Sequence, residues 1–137
     1  MRLMTIVAVA ASMVAVACSS HAPLATHAIS NAGGLAFEGT LHVMSSCVWL
    51  TTEGAAFNLI WPRDFSLRGP PLEIHGPRSL ILVDGDRVLL GATPPEPGVV
   101  AGCPFGTVSY VGEVAEVNGV RIPGVPPPTE RPGRNPR

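Results

Sequence analysis

The chain contains no lysine and no glutamine; all nine of its basic residues are arginines. Without lysine there is no Schiff-base chemistry, no lysine general base and no Ser-x-x-Lys nucleophile. No Gly-x-Ser-x-Gly elbow occurs either, so serine hydrolysis finds no motif. Charge of both signs is scarce, at 14 % of residues with a formal net charge of −1. No global basic field exists for nucleic acid, and no acidic bias for cationic partners. Aromatic residues make up only 5 %. No apolar run reaches the ~20 residues that span a bilayer core.

Proline and glycine, by contrast, are plentiful at 15 each among 137 residues. They argue for short elements and many turns rather than long helices. Arginine, alanine, glycine and proline all have GC-rich codons, which points to a high-GC bacterial genome. The length suits one domain with appendages.

The longest apolar stretch runs from Leu3 to Ala17, broken only by Thr5 and Ser12, behind a single positive charge at Arg2. That is a signal-peptide h-region in length, and no flanking charge cluster marks a transmembrane anchor. Ala15-Val16-Ala17 satisfies the small-x-small rule of ordinary signal peptidase. Followed by Cys18, the same residues resemble the lipobox of bacterial prolipoproteins, with Ala15 where that family prefers leucine. The resemblance covers residues 1–18 only. It implies cleavage before Cys18, a diacylglyceryl thioether on its sulfur and acylation (palmitate) of the new amino group. It also implies a lipid anchor on the extracytoplasmic face of the cell membrane, or in the outer membrane if the cell is diderm. Each buried acyl CH₂ contributes about 0.8 kcal/mol, so two or three chains anchor where one does not.

The chain has three cysteines, Cys18, Cys47 and Cys103. Outside the cytoplasm three thiols leave one over. Lipid on Cys18 leaves Cys47 and Cys103 to pair as a disulfide. The plainer alternative is a stray free thiol at Cys18.

Residues 18–34 are small and without apolar period, and read as a lipidated tether. His21 and His27 lie in it six residues apart, too isolated to make a metal site. Residues 35–122 form the folded unit. Its apolar residues are Val, Leu, Ile and aromatics in short runs, the strand signature. LAFEGTLHV alternates, and Cys47 and Trp49 continue the parity of Phe37, Leu41 and Val43, so Ser45-Ser46 reads as a bend or bulge in one long strand. AFNLIW, PLEIHG, SLILV, DRVLLG and GTVSYVGEVAEV follow, with Asp84-Gly85 as a two-residue hairpin signal. Segments 62–71 and 93–106 read as loops. The class is all-β: a small antiparallel barrel or sandwich of five to six strands, OB-like in shape. The tail, 123–137, carries six prolines and three arginines; it reads as disordered and partly polyproline II, with contact to an anionic envelope polymer or a partner groove as the sharper alternative.

Candidates for chemistry are few. Asp84-Gly85-Asp86 lacks the further oxygen ligands of a calcium loop. Cys103 as a nucleophile needs a base, for which His42 and His75 are the candidates, but a thiol with a mate is oxidised in this setting. His42 and His75 fall in the polar phase of their strands. Trp49, Trp61, Phe57 and Tyr110 suit either a ligand groove or a core. The sequence therefore points to a cell-envelope lipoprotein with a binding or structural role, no enzyme, no cofactor, no metal and no nucleic-acid partner. Its contacts would be the membrane, through the lipid, and an envelope polymer or protein. A small-ligand or ion-binding accessory protein is the alternative reading, with a hydrolytic enzyme last.

Overall fold

The computed structural model describes residues 24–29, 34–45, 47–126 and 128. Cys18, His21 and most of the proline-rich tail lie outside them. Ten strands follow in order: β1 (Thr26–His27), β2 (Leu35–Met44), β3 (Cys47–Thr52), β4 (Ala55–Pro62), β5 (Ser66–Arg68), β6 (Glu73–His75), β7 (Ile81–Val83), β8 (Arg87–Thr93), β9 (Thr107–Val117) and β10 (Val120–Arg121). No helix occurs among the described residues.

Five strands close a barrel. The order is β4-β3-β2-β8-β9, and β9 returns to β4. The closing pair is parallel, from Phe57↔Thr107 to Ile60↔Tyr110, where the sequence reading had antiparallel pairing throughout. The reason lies in β9, which is long enough to serve two neighbours. Its first residues run beside β4, and from Tyr110 onward it pairs with β8. Register shifts between Leu89 and Leu90 and between Gly91 and Ala92 bend the β8–β9 ladder, as closure of a small barrel requires. The shape is OB-like. β5, β6 and β7 form a separate three-stranded sheet in the connection from β4 to β8.

β2 and β3 form a hairpin and not one bulged strand, since Met44 pairs with Cys47 and Val43 with Val48. This reverses the parity inferred for one continuous strand. Val48 and Leu50 turn inward with Val43 and Leu41, while Trp49 faces His42 on the outside. Asp84-Gly85 does turn the chain, but β7 and β8 do not pair with each other; the turn links two sheets. Its carboxylates explain its form. Asp84 Oδ1 accepts from Val43 N–H at 2.8 Å, and Asp86 Oδ2 from Val83 N–H at 2.9 Å. Asn118-Gly119 makes the β9–β10 hairpin, with φ of 50° and 80°, the left-handed pair that tight hairpins favour.

Leu41, Leu50, Leu59, Trp61, Leu90 and Val111 fill the interior, joined by Ile74 and Leu82 from the small sheet. Each such aliphatic side chain contributes about 1.5–3 kcal/mol on burial. Gly39 lets β2 pass close to β3: a Cβ there would collide with the Thr51 carbonyl oxygen. Trp61 is fully buried against Phe65, and its indole N–H finds no partner among the described residues.

Candidate interaction face

Cys47 and Cys103 are joined by a disulfide, with Cα atoms 4.8 Å apart. The bond ties the start of β3 to the 94–106 segment. That segment lies across the outer face of β3 and β4. Asn58, opposite Trp49 on this face, donates through Nδ2 to the carbonyls of Phe105 and, at 3.5 Å, of Cys103. Buried Asn58 is thus the polar strut under the segment.

Three rings gather beside the disulfide. His42 stacks on Trp49 at 4.8 Å and 11°. Phe105 meets Trp49 edge-on at 5.3 Å and 87°. His42 Nε2 lies 2.9 Å from Thr51 Oγ1. Phe105 is exposed and Trp49 half-buried. The arrangement is an aromatic surface, offering stacking and apolar contact rather than a proton relay. Sequence parity had not separated Trp49 from the core, because Ser45-Ser46 offers no glycine or asparagine to announce the hairpin.

A second cluster sits on the same flank. Ile60 and Tyr110 pack with Ala25, Val99, Ala101 and Val108. His27, placed by composition in the tether, is buried here, with its ring 4.9 Å from that of Tyr110. Its Nδ1 accepts from Ile29 N–H at 3.1 Å, so the proton sits on Nε2, which donates to the Val111 carbonyl at 2.7 Å. Both polar atoms of the ring are satisfied, which is why a histidine tolerates burial here. β1 runs parallel to the end of β4. Tyr110 donates to Glu96 at 3.0 Å. Burial, this hydrogen bond and the Glu96 charge together hold the phenol above its ordinary value near 10.

The remaining candidates serve structure. Asp86 Oδ1 also accepts from Asn118 Nδ2 at 3.0 Å, so the Asp-Gly-Asp motif is committed to backbone and side-chain bonds. His75 is half-buried and bonded to Glu73 at 2.8 Å. Phe57 lies at the edge of the core against Phe37, at 4.7 Å. Among the described residues no group of three or more His, Cys, Asp or Glu is placed to hold a metal. A shallow groove of about 420 Å³ lies between Arg78, Leu80 and Ile81 on one side and Val117, Val120 and Ile122 on the other. Comparison with protein-family models, with curated proteins and with solved structures returned no match.

Proposed function

We propose that the protein is a bacterial cell-envelope lipoprotein, in which acylated Cys18 anchors a small β-barrel that serves as a binding or structural module. The observation that carries the reading is the Cys47–Cys103 bond. It consumes the two other thiols of the chain, leaving Cys18, at the end of the apolar run, as the residue for lipid. The same bond removes Cys103 as a nucleophile, which counts against the hydrolase alternative. The filled barrel interior counts against a ligand held inside it, so partners are met on the outer surface.

Metabolic labelling with a fatty-acid probe in a bacterial host tests the anchor. Wild-type protein should be labelled and membrane-bound, and Cys18→Ala should be unlabelled. Equal labelling of both, or an unlabelled soluble wild type, refutes the reading.

A further inference from the structure

We infer that the flank of the barrel formed by residues 24–29, 44–50 (Ser46 aside) and 97–106 lies against the bilayer to which the protein is anchored, with Met44, Val100 and Phe105 entering the lipid interface. The inference rests on the lipidation of Cys18 proposed above.

Three separate observations meet at this surface. The first is its chemistry. None of the three stretches contains Asp, Glu, Arg or Lys. They carry large apolar side chains that the fold leaves in solvent: Val100 at 85 % exposure, Met44 at 57 %, Phe105 at 46 % and Ile29 at 43 %. Apolar and aromatic side chains in a charge-free setting suit the headgroup–acyl boundary. Glu96, bonded to Tyr110, lies next to the third stretch in sequence and stands at its border.

The second is contiguity. The Cys47–Cys103 bond joins the 44–50 and 97–106 stretches. Leu24, Ala25, Met44, Ser45, Cys47 and Gly102 line one small depression. Ala25 packs beside Val99 and Ala101, the two neighbours of Val100.

The third is the anchor's reach. Five residues separate Cys18 from Leu24, and so short a chain spans at most ~22 Å when fully extended. β1 then fastens the chain to β4, with Trp61 N–H donating to the Ala25 carbonyl at 2.8 Å. The attachment point is therefore on the apolar flank itself, and an anchored barrel has this flank nearest the lipid. A longer free tether would let any face turn to the membrane, but this one does not.

The test uses the full-length acylated protein in phospholipid vesicles. The chain has two tryptophans, Trp49 on the flank and Trp61 buried in the barrel. Lipids brominated high on the acyl chain quench indoles only at close range. Emission from the wild type should drop on brominated vesicles, and Trp49→Phe, which retains Trp61, should show no drop. Val100→Asp and Met44→Asp, both at exposed sites, should restore emission while acylation is unchanged. Acylated, folded wild type with equal emission on plain and brominated vesicles overturns the inference and leaves the lipoprotein reading standing. Full quenching in both Asp variants overturns it too, as does self-association with no quenching, which would assign the flank to a second copy. Absence of the acyl group overturns this inference and the lipoprotein reading together.

Discussion

Removing the disulfide should take away a large share of the domain's stability. Cys47 and Cys103 are 56 residues apart in sequence. In the chain-entropy model, a loop of that length contributes about 4 kcal/mol by restricting the unfolded chain, and strain or residual structure subtracts from that ceiling. A domain of this size is stable by about 5–10 kcal/mol in total. At roughly 4–8 °C per kcal/mol, the melting temperature should fall by about 15–30 °C. Thermal and urea unfolding of the full chain, with and without reductant, measures this directly. Cys47→Ser, Cys103→Ser and the double variant should lose the same amount, because each removes one and the same bond. Reduced wild type should join them. A loss below about 1 kcal/mol would refute the argument, and so would a double variant that loses the sum of the singles.

Two other perturbations probe the barrel. Gly39→Ala drives a methyl group into the Thr51 carbonyl oxygen, and since backbone cannot step aside as a side chain does, it should cost at least about 2 kcal/mol in urea unfolding; a neutral result would show that β2 and β3 are not so close. Tyr110 concerns pH. Its phenol is held above the ordinary value near 10 by burial, by its bond to Glu96 and by the charge of that carboxylate. The folded state thus holds the proton more tightly than the unfolded chain, so this contribution is intact below about pH 10 and is lost as pH rises through the folded value. Above about pH 10 the wild type should therefore lose melting temperature more steeply with rising pH than Tyr110→Phe, and equal slopes would refute the assignment.

Much of the architecture was legible because burial writes itself into short runs. Ala55–Pro62 and Thr107–Val117 are strands where Val, Ile and aromatics cluster, and the all-β class follows from those runs with the abundant Gly and Pro. What escaped was pairing. Ser45-Ser46 has no residue that favours positive φ, so a hairpin passed for a bulge, and Trp49 was assigned to the wrong face of its strand. Asp84-Gly85 carries a hairpin signal, yet the Asp84 and Asp86 carboxylates use it to join β2 to β7. Asn118-Gly119 carries the same kind of signal and does make a hairpin, at the edge of a strand read as ending there. The parallel β4–β9 contact has no local trace, because it depends on where the 94–106 segment crosses the barrel. The aromatic flank was illegible for a related reason: His42, Trp49 and Phe105 come from three elements, and only the disulfide and the closed sheet bring them together.

The order in which the barrel can be completed follows from that parallel contact. Phe57 must find Thr107, so the ring of strands stays open until almost the whole chain exists. Long-range closures of this kind are slow, because the entropy of the loop is lost before the contacts return anything. Cys103 sits just upstream of Thr107, and its mate Cys47 opens the strand that pairs with β4. Once the two sulfurs are joined, β9 has only a few residues of slack left before it meets β4. Oxidation therefore turns a search across more than a third of the chain, from Phe57 to Thr107, into a local one, and a reducing compartment would leave the barrel slow to close as well as less stable.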